Sequence, residues 1–275
     1  MRTAFVTVGF TLLLAALNLA PASAGPPSSK AAKKLILETA DAHGGLAKWR
    51  SAPTISFTHT MVSPAEPDDP WVSIETIDQK TRREYQDWPL DKSSISWDGH
   101  EAWSVDWKRG NPPKFMVNQA YYVLNLPWIA SGPDVHLDDP TTGTIPGSDK
   151  EYTAIRVTFA PTTVKSPDDY FVLYIDPDTR LMKAIEYNVT YGAMLDAMGL
   201  PAEMKSMGPL FHVFDAFRDV EGLKMPASYR TFSPAGDMYG EHEVSDWSLR
   251  KTFDESRMTM PEGAVRDTSS AKRKT

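Results

Sequence analysis

The sequence predicts an α+β fold that is mainly β: one antiparallel sheet of ten or eleven strands, curled into an open half-barrel whose concave face is covered by helical insertions. Three observations predict it. Segments with period-two alternation follow one another through most of the chain, and short turns join them, as antiparallel pairing requires. A sheet of that many strands must curl. Two segments of helical spacing, residues 114–126 and 192–209, interrupt the strands, and their apolar positions have to lie against something.

Taken in order, the chain opens with Arg2, an uncharged apolar run from Ala4 to Leu19, and Ala22-Ser23-Ala24. This is the pattern of an export signal, residues 1–24, cut after Ala24. The run is short of the ~20 residues that span a bilayer. Residues 25–29 read as a linker. Residues 30–43 form a helix with Leu35, Ile36 and Ala40 on its apolar stripe, closed by Gly44-Gly45. A short turn, 46–50, carries Trp49. Strand 54–61 alternates Ile55, Phe57 and Met61 with threonine and serine, and places His59 on the apolar face. Residues 63–70 hold three prolines and read as a loop before strands 71–78 and 82–87. Residues 93–107 form a hairpin about Asp98-Gly99, a favoured tight-turn pair; Ile95 and Trp97 share one face, and Trp103, Val105 and Trp107 alternate on the return.

The first helical insertion, 114–126, is ended by Pro127, and 131–150 reads as a surface loop. Strands resume at 155–159, 170–175 and 181–191. Segment 170–175 is continuously apolar and therefore covered on both faces, and Asp176-Pro177-Asp178-Thr179 is a turn. The second insertion, 192–209, holds four of the twelve methionines, with Met194, Ala197 and Met198 at helical spacing and Pro201 opening a second short helix. Strands 210–219, 223–232 and 238–249 complete one domain, 30–266. Residues 267–275 are polar, end in Lys272-Arg273-Lys274, and read as a disordered tail.

Composition excludes several functions. Without cysteine there is no disulfide, thiol nucleophile, thiolate metal site or N-terminal lipid on cysteine. Removal of residues 1–24 leaves 28 basic against 36 acidic side chains, a net charge of −8 that disfavours nucleic acid and anionic membrane surfaces. The nearest approach to a metal set is Asp134, His136, Asp138 and Asp139, whose spacing matches no ligand pattern. There is no phosphate loop, dinucleotide fingerprint or Gly-x-Ser-x-Gly elbow. His59, His100 and His212 read as structural histidines, and strand geometry puts Glu241 and Glu243 on the face opposite His242. No catalytic residue, metal or cofactor is expected.

What remains is apolar surface. Phe57, Met61, Trp97, Trp103, Val105, Val157, Leu173, Ile185 and Tyr187 are candidates for the concave face; Tyr122, Leu126, Met194, Met198, Met204 and Met207 are candidates for its cover. Either these residues fill an ordinary core, or they line a cavity beneath a soft, methionine-rich lid.

Three stretches carry a resemblance: His43-Gly44-Gly45 with Trp49 soon after, the segment from Tyr174 to Tyr187 with Asp176-Pro177 at its turn, and the segment from Phe217 to Pro226 ending Leu-x-x-Pro. In this order, within an exported chain with two helical insertions, they resemble the LolA superfamily, the outer-membrane lipoprotein-sorting-like proteins. The resemblance implies an open barrel with a helical lid that holds lipid or lipoprotein acyl chains in the periplasm, exchanges them with a membrane-bound donor or acceptor protein, and spans no membrane itself. Some relatives instead bind another periplasmic protein and sense envelope stress. A cofactor-free hydrolase on the same fold is a further alternative.

Overall fold

The computed structural model describes residues 28–160 and 169–273. The expected export signal, residues 1–24, lies outside the described residues, as do residues 25–27, 161–168 and 274–275. Helix α1 spans Lys30–Ala42; Ser29 caps it by accepting from the Ala32 amide. The 46–50 turn is a short helix, α2, Leu46–Ser51. Five strands follow: β1 Thr54–Ser63, β2 Glu66–Asp78, β3 Glu84–Trp88, β4 Ser93–Trp97 and β5 Ala102–Val105. Residues 63–70 are therefore not a loop: Pro67 and Pro70 lie in the exposed start of β2, where a missing N–H costs little.

Helix α3, Pro113–Ile129, runs through Pro127, the residue at which the sequence predicts its end. Proline in the last turn removes a single helical bond, and the Ala130 amide still reaches the Leu126 carbonyl. The expected loop at 131–150 folds into β6 Val135–Leu137 and β7 Thr141–Ile145 and enters β8, Ser148–Phe159. Then come β9 Tyr170–Ile175, β10 Met182–Val189, helix α4 Gly192–Ala197, β11 Met207–Val220, β12 Leu223–Phe232, β13 Met238–Ser248, a 3₁₀ turn Glu255–Met258 and β14 Val265–Arg266. No second helix forms after Pro201.

Fourteen strands among the described residues form one antiparallel sheet in the order β14-β5-β4-β3-β2-β1-β13-β12-β11-β10-β9-β8-β6, with β7 on β8. The count exceeds the expected ten or eleven because β6, β7 and β14 arise in segments rich in Gly, Pro and polar residues. The sheet is open, with β14 at one edge and β6 and β7 at the other. Its central seam pairs the first strand with the thirteenth, Thr60 opposite Glu243.

Register assigns the faces, because directly opposed residues lie on the same side. Ile55, Phe57, His59 and Met61 oppose Ile77, Glu75, Ser73 and Trp71 on β2, and Met61 opposes His242 on β13. Across the far strands the same face carries Tyr229, Phe214, His212, Ile185, Leu173, Ile155 and Val157. Helices α1, α2 and α3 cover this face and share one buried cluster with it. A smaller cluster of Ile145, Tyr152, Tyr174, Val213 and Phe232 covers the opposite face of β8 to β12, so β9 is apolar on both sides.

The segment from Asp267 is not disordered over its described residues. Val265 and Arg266 pair with Ser104 and Trp103 of β5. An Asp267 carboxylate oxygen accepts from the Lys114 amide at 2.7 Å, supplying from afar the cap that Pro112 cannot give α3. The amides of Gly192 and Ala193 donate to the carbonyls of Ala271 and Ser270. Arg273 bonds Asp196 at 2.6 Å and the carbonyls of Leu200, Pro201 and Met204. The C-terminal segment is thus a strap over both helical insertions. It passes so close to Gly192 that a Cβ there would lie 2.3 Å from the Arg273 nitrogen.

A filled trough with a polar flank

The helix-bearing face of the sheet is a trough, and α3 fills it. Ten of the seventeen residues of α3 are buried, including Val117, Leu124, Leu126 and Trp128. Beneath them lie Ile55, Phe57, Ile77, Ile155, Val157, Leu173 and Ile185, each at most 1% exposed. The floor meets the helix through Gln86 of β3, which donates to the Met116 carbonyl at 3.2 Å. Within the cover, the Trp49 indole of α2 donates to Asn125 at 2.8 Å, and Trp49 stacks on Trp128 with ring centroids 5.9 Å apart.

Most of the expected site residues come together here. Phe57, Val157, Leu173, Ile185 and Tyr187 are buried on the floor, Trp97 is half-buried on it, and Leu126 is in the underside of the cover. Tyr122 packs edge-on to Phe159 at 5.4 Å. Met61 is half-buried on the same face, opposite Trp71 and His242. Two of the assignments are corrected by register. Trp97 opposes Ala102, so the inward positions of β5 are Ala102 and Ser104; Trp103 and Val105, opposed to Ser96 and Ser94, point to the other face. A slip of one residue across the Asp98-Gly99 hairpin exchanges the faces, and the sequence pattern alone does not fix it.

The methionine-rich insertion is also corrected. Met194 and Met207 pack with Tyr187, Tyr191, Leu195 and Leu210 at the end of β10 and β11, but Met198 and Met204 are 44% and 42% exposed. The insertion covers one end of the trough, and α3 covers its length.

Polar groups that the sequence did not connect cross the same floor. Glu75, Glu84 and Gln86 occupy inward positions of β2 and β3 and are buried. One Gln86 amide nitrogen reaches Glu84 at 2.8 Å and Glu75 at 3.2 Å, and Ser73 donates to Glu75 at 2.7 Å. Burial pushes the Glu75 carboxyl up to about 7 and holds Glu84 well above the usual carboxylate range, an effect the Glu75 charge reinforces. Nearby, His59 Nε2 lies 3.0 Å from His242 Nδ1 and 2.9 Å from the Tyr229 hydroxyl, and Thr231 Oγ1 bridges His242 at 2.6 Å and His212 at 3.0 Å. Burial holds His59 near 4 and His212 near 3, so these imidazoles are neutral at pH 7. The 3.9 Å approach of His59 to Glu75 is then a polar contact, not an ion pair. The available signal was phase: Glu75 alternates with Ile77 on the apolar side of β2, as His59 does on β1.

No group of three or more His, Asp or Glu side chains among the described residues is placed to hold a metal ion. In the Asp134–Asp139 segment, His136 bonds Asp138 at 3.0 Å. Two cavities lie outside the trough. One of about 670 Å³ lies between Trp107, Asn111, Asp196 and the strap from Arg266 to Ser270, and one of about 240 Å³ between α1 and the end of α3. No helix of the described residues is long and apolar enough to cross a membrane.

No family model and no curated protein matches the sequence. Solved structures do. A DUF1329 family protein from Desulfovibrio piger aligns over 85% of this chain and 98% of its own, at 10% identity and a TM-score of 0.51. A LolA superfamily protein from Nitrosomonas europaea aligns over 84% and 98% at 12% identity with a TM-score of 0.49. The domain of a putative outer membrane lipoprotein-sorting protein from Vibrio parahaemolyticus aligns over 82% and 95% at 9% identity with a TM-score of 0.46. The chain therefore shares with the Desulfovibrio piger protein its fold, an open antiparallel sheet with helices laid across one face.

Proposed function

We propose that the chain is an exported carrier or binding protein that shelters an apolar ligand, lipid or lipoprotein acyl chains, between the trough and α3. The observation that carries this reading is the way α3 is held. It is seated in an open sheet, it shares a buried apolar cluster with the floor and accepts a hydrogen bond from Gln86, and it occupies the trough where an acyl chain would lie. Hydrophobic burial scales with area and has no direction, so acyl chains that replace α3 on the floor recover much of the free energy lost when it lifts. The resemblance of the sequence to the LolA superfamily supports the reading, and the Ala4–Leu19 run with Ala22-Ser23-Ala24 supports export to the periplasm. No covalent chemistry is required. A membrane-bound donor or acceptor would deliver and receive the cargo.

The test uses the absence of cysteine. Val117 of α3 and Ile95 of β4 share a buried cluster. A chain carrying Ile95→Cys and Val117→Cys, oxidised, has α3 tied to the sheet. Uptake of a naphthylamine dye and of radiolabelled palmitoyl phospholipid should be lost on oxidation and return on reduction. Equal uptake by locked and unlocked protein would sink the proposal.

A further inference from the structure

Five buried side-chain atoms without a hydrogen-bond partner gather on one flank of the trough: Gln79 Oε1, Arg82 Nη1 and Nη2, Glu84 Oε2 and Trp97 Nε1. Gln79 and Arg82 belong to the β2–β3 turn, Glu84 follows two residues later, and Trp97 opposes Glu84 across β3 and β4. A buried donor or acceptor left unpaired loses its hydration with nothing in return, so such a concentration needs an explanation.

The geometry of Arg82 supplies one. Its guanidinium carbon lies 3.1 Å from the ring centroid of Tyr121 on α3 and 5.9 Å from that of Trp97. Stacking on Tyr121 engages the face of the guanidinium. The N–H bonds lie in its plane, and those on Nη1 and Nη2 remain unused. The edge of an arginine fork matches two oxygens of a carboxylate or phosphate. Trp97 adds an indole N–H beside it. Glu84 is fully buried, and Gln86 occupies only its Oε1, so Glu84 in its neutral form offers an O–H from the same place. The set is rich in donors. It borders apolar floor directly, because Glu84 opposes Ile77 and Ile77 opposes Ile55.

We infer that Arg82, Trp97 and Glu84 form a subsite for the oxyanion head, carboxylate or phosphate, of an amphiphile whose chains lie along the trough. In the closed protein the face of Tyr121 covers Arg82. When α3 lifts, Tyr121 leaves with it, and the head group pairs the orphaned N–H bonds. The inference rests on the carrier reading and adds the chemical class of its ligand.

The experiment compares matched pairs on the mature chain. Oleate is set against methyl oleate, and dioleoylphosphatidic acid against dioleoylglycerol, by displacement of a bound dye at constant ionic strength. Charged hydrogen bonds of this kind are worth at least about tenfold in affinity, so one or both anions should exceed the neutral partner by that factor. The pair that shows it tells carboxylate from phosphate. Arg82→Met should bring the ratio to about one while methyl oleate still binds, which also reports that the variant folds. Trp97→Phe, which keeps the ring and loses the N–H, should lower the ratio severalfold and serves alone if Arg82→Met does not fold. Ratios near one in the unmodified protein, or an unchanged ratio in Arg82→Met, overturn the inference and leave the carrier reading standing. Failure of all four lipids to bind overturns both.

Discussion

The backbone N–H of Met182 donates to Nε2 of His43 across 3.1 Å, in the interior of the protein. That bond fixes the tautomer: Nε2 is the acceptor, so Nδ1 carries the proton and donates to the Lys224 carbonyl at 3.0 Å. Burial holds the ring near 4, so it is neutral when folded. One imidazole thereby joins the end of α1 to the β9–β10 and β11–β12 hairpins. His43→Ala removes the partner of the buried Met182 N–H, releases the Lys224 carbonyl, and opens a cavity beside Trp128 and Phe217. The expected loss is about 3 kcal/mol, read from urea denaturation. Gly44→Ala should be at least as damaging, because φ is +103° and the added Cβ would meet the Gly222 carbonyl oxygen at 2.1 Å.

Acid should destabilise the protein well above the range in which carboxylates titrate. His43, His59, His212 and His242 are all depressed by burial. As pH falls below 6.5 the unfolded chain takes up protons that the folded one refuses, and stability declines until pH reaches the folded values, near 4 for His43 and His59 and near 3 for His212. Glu75, raised to about 7 from 4.5, acts with the opposite sign: the folded state binds its proton first, so its contribution is full below 4.5 and is lost as pH rises through 7. Urea midpoints between pH 4 and 8 should show a fall on the acid side. Relative to the parent, Glu75→Gln should be more stable at pH 8 than at pH 5, and a difference from the parent that does not change with pH would contradict the assignment.

The strap should govern how firmly both insertions are held. Ending the chain at Asp267 removes the partners of the Gly192 and Ala193 amides while keeping the cap on Lys114. Hydrogen exchange at those two amides and through residues 198–206 should accelerate, with β1 to β4 unaffected. Gly192→Val should reproduce the effect in the full-length chain, because the side chain takes the space that the strap occupies.

The methionines separate into two kinds. Met194→Asp puts a charge against Tyr191 and Leu195 and should cost about 2 kcal/mol or more. Met198→Asp changes an exposed side chain and should stay within about 0.5 kcal/mol of the parent. A double variant therefore reports on position 194 alone.

Much of the sheet was legible because alternation is a local signal. Strands such as β1, β10 and β12 declare their inward residues through Phe57, Ile185 and Met225 without knowledge of their neighbours. The unread parts depend on distant pairing. Ser148 to Tyr152 carry no apolar alternation, and only β7 makes them strand. Asp267 reads as tail until the N-terminus of α3 needs a cap. Arg82, a polar residue in a turn by sequence, acquires its meaning from Tyr121, which chain connectivity sets 39 residues away on the helix that crosses the sheet. The face of Trp103 depended on a single residue of register.

The seam between β1 and β13 sets a kinetic consequence. His59 and His242 meet across 183 residues of chain. The β1–β5 meander can assemble from neighbouring hairpins, but β1 keeps one edge unpaired until the thirteenth strand is available. Contacts that close so long a loop form late and slowly. Folding should therefore show a slow phase that ends when the two halves join, and during that phase the bare edge of β1 is the point at which two unfinished chains would associate. A holdase that occupies this edge would raise the yield of native protein without contacting the trough.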